Sequence, residues 1–144
     1  HASTSRRRRT LARRLAALEE AHRRLTQSEA RYRTLFQRAS VGMYEVDFVR
    51  QRMLEVNDYV LERTGYSRDE FLGLPPLALL APESRQRFLG RVARLLAGEP
   101  VPDQVELEVV LKDGRTLWTQ LEIRFIREED GRVRGAAVTS PSSA

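Results

Sequence analysis

The sequence predicts an α+β fold in which one long helix precedes a body of short strands and helices. Apolar residues in the N-terminal quarter recur at alternating steps of four and three, which is the spacing of a helix seam. Residues 105–139 instead alternate apolar and polar side chains around two Asp-Gly turns, as β-hairpins do. Between these regions, short helical segments are separated by Gly and Pro.

Residues 11–37 are predicted to form an amphipathic coiled-coil helix about 40 Å long, because good helix formers dominate and neither Gly nor Pro interrupts them. Residues 1–10 are expected to be a flexible basic N-terminus. A narrow apolar stripe stabilises a lone helix poorly, so we expect the helix to pair with a second copy of the chain. Packing on its own domain is the alternative. The expected dimer contacts in this helix are Leu11, Leu15, Leu18, His22, Leu25, Tyr32 and Phe36.

Two short strands, residues 41–48 and 52–57, open the body and are joined by a tight connection. Asn57 or Asp58 is expected to cap the next helix, since both side chains accept hydrogen bonds from backbone N–H groups. Gly65 ends this helix at a position that favours a left-handed residue.

A capping-box pattern follows, with Ser67 as the cap and Glu70 three residues later. Residues 83–97 then form an amphipathic helix, which Gly98 and Pro100 end. The predicted order up to this point is two strands followed by three helical segments.

Three strands complete the body, at residues 105–111, 116–126 and 133–139, and the hairpin turns between them make them antiparallel neighbours. Residues 140–144 are expected to be a disordered C-terminal tail.

Charge and composition narrow the function. Residues 1–38 carry eleven Arg against three Glu, a net of +8, whereas the rest of the chain has a net of −3. The chain has no Cys, no apolar run long enough to span a membrane and no signal peptide, so a cytoplasmic protein is expected. No Ser/His/Asp set, phosphate loop or metal-spaced His pair is present, so we expect no catalysis.

The run Arg6–Arg9 before the leucines raises the alternative of a basic helix that binds DNA. The run is short and has no Asn or other base-reading side chain, so no nucleic-acid partner is expected. A membrane would be reached only through a segment outside this chain.

Four stretches together carry a resemblance to a known family: "EARYRTLFQRASVGMYEVD", "VNDYVLERTGYSRDEFLG", "LKDGRTLWTQLEIRF" and "EEDGRVRGAAVT". In this order they resemble the PAS domain, a sensor and signal-transfer module. The resemblance implies that residues 38–139 form a five-stranded antiparallel sheet with helices on one face. Its first hairpin departs from the family, because "FVRQR" replaces the usual Asp-x-x-Gly turn.

The resemblance further implies a sensory and dimerisation module of a larger bacterial regulatory protein: a sensor kinase, a cyclic-dinucleotide enzyme or a transcription regulator. A homodimer and an effector domain outside this chain are the expected partners. The alternative is a structural dimerisation spacer that binds no ligand.

A small apolar ligand would lie between the sheet and the middle helices, and the alternative is that the same side chains simply fill the core. The expected pocket residues are Met43, Tyr44, Phe71, Phe88, Val92, Leu107, Val109, Leu121, Ile123 and Phe125.

No cofactor is predicted. Without Cys, the flavin photochemistry of the LOV branch is excluded, and residues 83–97 contain no His to bind haem. Haem bound through a Met or another ligand is the alternative, although Met43 and Met53 lie on predicted strands and are expected to be core or edge residues.

Two further contacts are expected on the surface. The family commonly pairs a carboxylate after the "GYS" break with a base near the Asp-Gly turn, which here implies an ion pair between Glu70 and Lys112; two solvated charges are the alternative. Trp118 and Ile126 lie on the sheet face opposite the core, so we expect this face to be covered by the N-terminal helix or by a partner subunit.

Overall fold

The computed structural model describes residues 2–141 of the chain. Within this range, the helices and strands follow in the order that the sequence predicts. They are α1 (Ala2–Arg38), β1 (Gly42–Asp47), β2 (Arg52–Val56), α2 (Asp58–Thr64), α3 (Arg68–Leu72), α4 (Pro82–Leu96), β3 (Gln104–Val110), β4 (Thr116–Arg127) and β5 (Val133–Ser140). The chain divides into two units, one that ends at Phe36 and one that begins at Gln37.

Helix α1 is longer than predicted. The stretch expected to be flexible, residues 1–10, is helical from Ala2 onward, and His1 lies outside the described residues. Arginine is a good helix former, and its charged head remains in water on an exposed helix, so a run of Arg does not end the helix. Further along, Arg23 and Arg24 both pair with the Glu20 carboxylate on the helix surface.

The five strands form one antiparallel sheet in the order β2-β1-β5-β4-β3, which confirms the predicted fold class. The last strand, β5, lies between β1 and β4 and pairs with both. It includes Ser140, whose partner in β1 is Gly42, so the predicted tail 140–144 starts too early. Pairing with β1 keeps this end of β5 extended. The rest of that prediction, residues 142–144, lies outside the described residues.

The helix caps follow the sequence. Asn57, rather than Asp58, caps α2, and Gly65 ends it with φ of 86°. The predicted capping box at α3 is confirmed, because the Ser67 side chain accepts from the backbone N–H of Glu70 and the Glu70 carboxylate accepts from that of Ser67. Helix α4 begins at Pro82, one residue before the predicted start.

Two apolar clusters fill the space between the inner face of the sheet and the helices. One gathers Phe88 of α4 with Leu107, Leu121 and Ile123 of β3 and β4. The other gathers residues of β1 and β2 with α2 and α3, where Phe71 is fully buried. Tyr44 and Phe48 pack against both clusters, so the two clusters form one continuous core.

Candidate functional site

The expected ligand pocket lies in the middle of this core. Five of the ten predicted residues line one central cavity: Tyr44, Phe88, Leu107, Leu121 and Ile123. Two more, Val92 and Phe125, pack against the same cluster. Phe71 and Val109 belong to the neighbouring cluster instead. Met43 takes no part, because adjacent residues of a strand face opposite sides and Tyr44 faces the core.

The central cavity has a volume of only about 20 Å³. Aromatic rings occupy the space, since the ring centroids of Phe48 and Phe125 lie 6.0 and 5.9 Å from that of Phe88. A void of this size holds about one water molecule. The centre of the domain is therefore a packed core with no room for an organic ligand in this conformation.

A larger cavity of about 150 Å³ lies at one end of the sheet, and we call it the end cavity. Its walls come from α2, the first residues of β1, the β3–β4 hairpin and the last residues of β5. They include Thr119, which the sequence marked as a possible hydrogen-bond donor to a ligand. They also include Tyr59, Arg63, Thr64, Leu79, Trp118 and Ser140, none of which the sequence pattern marked as a pocket residue. Of the predicted pocket, Tyr44, Val109 and Leu121 also border it.

Tyr44 stands between the two cavities and lines both. Its ring meets that of Phe71 edge-on, with centroids 5.6 Å apart. Burial raises the pKa of its phenol above the ordinary value, because the phenolate would be poorly solvated there. Tyr44 is therefore a neutral group throughout the physiological pH range.

Glu70 and Lys112 meet across the fold. The Lys112 Nζ lies 2.9 Å from the Glu70 Oε2, and the Lys112 backbone N–H donates to the Thr64 carbonyl oxygen. The backbone N–H of Ser67, and secondarily Lys112, lower the pKa of Glu70 from 4.5 to about 2. The pair joins the start of α3 to the β3–β4 turn. Both side chains are more than 40% exposed, so the pair contributes little to stability.

The lowered pKa of Glu70 predicts a small dependence of stability on pH. A carboxyl whose pKa is depressed by folding stabilises the fold above its unfolded-state pKa and loses that contribution as the pH falls towards the folded value. We therefore expect Glu70→Gln to reduce the loss of stability between about pH 4.5 and pH 2, as measured by urea unfolding at each pH. The control is Glu62→Gln, at an exposed glutamate of α2. Equal acid sensitivity in the two variants would contradict the assignment.

The predicted helix seam on α1 is largely exposed in the single chain. Leu11, Leu15, Leu18, Leu25 and Tyr32 are between 57 and 68% exposed, His22 is exposed and Phe36 is buried. Leu35, which the seam spacing omitted, is 65% exposed. Leu35 directly precedes the seam residue Phe36. Its apolar side chain next to the seam is the feature of the sequence that could have identified it.

Of the two residues expected on the outer face of the sheet, Trp118 is 53% exposed and also borders the end cavity, and Ile126 is half-buried. The two residues are eight positions apart on β4, a distance of about 27 Å along an extended strand. Ile126 lines a groove whose other walls include Glu45, Asp47 and Arg134. Trp118 and Ile126 are therefore separate apolar sites on a mainly polar face.

Within residues 2–141, no three His, Asp or Glu side chains are grouped so that they could hold a metal ion. None of the helices described there is both long enough and apolar enough to cross a membrane.

Comparison with known proteins agrees with the fold. Residues 39–140 match the family described as "PAS domain". The chain is 28% identical over 109 residues to "Sensor histidine kinase TmoS" of Ectopseudomonas mendocina, covering 76% of this chain and 11% of that protein. It is 27% identical over 115 residues to "Probable diguanylate cyclase DgcE" of Escherichia coli (strain K12), covering 80% of this chain and 10% of that protein. The chain thus spans about a tenth of the length of these curated relatives.

A solved structure gives the same result. A domain of the sensory box sensor histidine kinase/response regulator from Geobacter sulfurreducens matches with a TM-score of 0.58 and 30% identity. The match covers 79% of this chain and 92% of that chain.

Proposed function

Because this chain belongs to the PAS domain family, we propose that it is a sensory and signal-transfer module of a larger bacterial regulatory protein, and that it dimerises through α1. The observation that carries the dimer is the row of exposed leucines on α1 at the spacing of a helix seam. Each leucine buried against a second helix would contribute about 1.5–3 kcal/mol. The seam thus supplies the stabilisation that a solitary exposed helix lacks.

The same seam suits a module that changes state. His22 and Glu29 occupy seam positions where apolar residues would pair more tightly. A weak helix pair has alternative registers or rotations that are close in free energy, and a signal can shift the balance between them. The proposed role of α1 is to carry that shift to a neighbouring domain.

The proposed class of effector domain follows from the names of the relatives. One is described as a sensor histidine kinase and the other as a probable diguanylate cyclase, and each is about ten times longer than the matched region. We therefore place this chain before an effector domain of the kinase, cyclic-dinucleotide or transcription-regulator class. The chain itself supplies no catalytic group in this proposal. A LOV-type flavin adduct is excluded from it, because the sequence has no Cys.

A structural spacer is the second candidate, and the filled centre of the domain favours it. An apolar ligand in the core would have to enlarge a cavity of about 20 Å³ by displacing aromatic side chains. If the domain is a structural spacer, the dimer forms without any ligand. Both candidates share the helix pair and differ in whether a small molecule shifts it.

Leu18→Glu is the test of the helix pair. Because the change places a carboxylate in an apolar seam, we expect the dissociation constant of the dimer to rise at least about tenfold. Native mass spectrometry and analytical ultracentrifugation measure this constant. Ala17→Glu adds the same charge to an exposed position beside the seam and serves as the control. A monomeric wild type, or equal effects of both variants, would refute dimerisation through α1.

A further inference from the structure

We propose that the end cavity binds a small organic monocarboxylate with a single ring, such as a benzoate-like acid. This inference rests on the proposed sensory function and moves the ligand away from the centre of the domain. The end cavity has about 150 Å³, several times the central volume, and it is partly open to solvent. A dry protein cavity of about 150 Å³ is large enough for benzene.

The cavity lies at the end of the sheet where the pairing between β4 and β5 stops. The ladder between β4 and β5 ends at Glu122 and Thr139. Beyond that point, the hydroxyls of Thr119 and Ser140 lie 3.2 Å apart and form a side-chain hydrogen bond between the two strands. Helix α2 closes one wall. The cavity therefore lies where residues of β1, β4 and β5 come together at the end of the sheet.

The walls favour a flat apolar body. Tyr59 and Trp118 contribute aromatic rings, and Leu79 and Leu117 contribute aliphatic surface. The Thr64 hydroxyl donates to the Val60 carbonyl oxygen and so presents little polarity to the cavity. Rings of this kind bind other rings through stacked or edge-on contacts.

One guanidinium supplies the charge. Arg63 lies over the Tyr59 ring, 4.6 Å from its centroid, and donates to the Tyr59 hydroxyl at 2.5 Å. These two contacts hold the side chain beside the cavity, and the guanidinium has further N–H groups for a carboxylate. Of the described residues that line the cavity, Arg63 alone is charged. A single cation with no acidic neighbour in the wall suits a ligand with one negative charge.

The position of the cavity connects a ligand to the sheet. Gly42 and Ser140, which pair between β1 and β5, both border it. A ring seated there would contact the Thr119–Ser140 hydrogen bond directly. Binding would thus favour one arrangement of the end of β5 over another, which a sensor requires of its ligand.

The test is a titration of the whole chain with benzoate and with benzamide, followed by amide ¹H–¹⁵N NMR. We expect benzoate to bind with a Kd of about 1 mM or tighter and to shift the amides of Gly42, Thr64 and Thr119. Benzamide, which has the same shape without the charge, should bind about tenfold more weakly. Arg63→Gln should remove this preference, while Arg52→Gln, at an exposed arginine of β2, should keep it. Thr119→Phe should fill the cavity and abolish both interactions, unlike Gln120→Phe, because Gln120 does not line the cavity.

Three results would overturn the proposal: no benzoate-induced shifts, shifts centred on Phe88 and Ala136 in the central cavity, or an unchanged preference in Arg63→Gln. The oligomeric state of the same samples separates this proposal from the previous one. A dimer that ignores benzoate overturns the ligand site alone. A monomer that binds benzoate overturns the dimer alone.

Discussion

Gly135→Ala is expected to destabilise the domain by about 3 kcal/mol, because a methyl group at this position would collide with the neighbouring strand. A Cβ built on Gly135 lies 2.3 Å from the backbone oxygen of Val46, far inside van der Waals contact. That oxygen belongs to β1 and cannot rotate away as a side chain would. The variant must therefore push β1 and β5 apart at the centre of the sheet.

The cost follows from the position of β5. Gly135 pairs with Asp47 on one side and with Ile126 on the other, and the Phe48 N–H donates to the Arg134 carbonyl oxygen beside it. Separating the strands strains these bonds, and the free energy of unfolding in urea should fall accordingly. Ala137→Ser, two residues along the same strand and exposed, should change it by less than about 0.5 kcal/mol. A Gly135→Ala protein as stable as the wild type would show that the strands tolerate a wider spacing.

Asn57→Ala should cost a similar amount, about 3 kcal/mol, through lost hydrogen bonds. The Asn57 side chain is fully buried and joins three backbone groups. Its Oδ1 accepts from the N–H groups of Met43 at 3.0 Å and Val60 at 3.3 Å, and its Nδ2 donates to the Val41 carbonyl oxygen at 2.8 Å. Alanine leaves these three buried backbone groups without their hydrogen bond to the Asn57 side chain. Thermal or urea unfolding measures the resulting loss of stability.

Ser67→Ala is the matched comparison for Asn57→Ala. Ser67 also caps a helix, but its side chain is exposed and makes a local bond to the Glu70 N–H. Its loss should cost about 1 kcal/mol, since water replaces the missing oxygen. If the two alanine variants were equally stable, the bonds of Asn57 to the start of β1 would contribute nothing beyond capping.

Local patterns in the sequence predicted most of the elements correctly. Alternation identified β3 and β4, and the Asp-Gly turns fixed their hairpin partners. The caps Ser67 and Gly65 are equally local, because a cap bonds to backbone groups within a few residues. The boundaries of α1 and β5 were wrong for a related reason. The arginine run does not end the helix, because Arg has a good helix propensity. Ser140 stays in β5 because it pairs with Gly42 of β1, and this pairing leaves no local signal in the sequence.

The candidate site could be predicted only in part. The core-facing residues of β3 and β4 followed from alternation, whereas Met43 was grouped with Tyr44 although neighbours on a strand face opposite sides. The end cavity could not be predicted from local patterns. Tyr59 and Arg63 come from α2, Trp118 from β4 and Ser140 from β5, and only the strand order brings them together.

The sequence by itself determined the order of helices and strands, the caps, and the apolar seam of α1, because each depends on residues a few positions apart. The tertiary structure decided that β5 lies between β1 and β4, since the pairing of distant strands leaves no periodic signal along the chain. The tertiary structure also decided the volumes of the central cavity and the end cavity. Aromatic rings from separate elements close the centre to about 20 Å³, while about 150 Å³ remains at the end of the sheet where the β4–β5 pairing stops. Volumes of this kind depend on how side chains from distant segments pack together, and a sequence pattern does not contain that information.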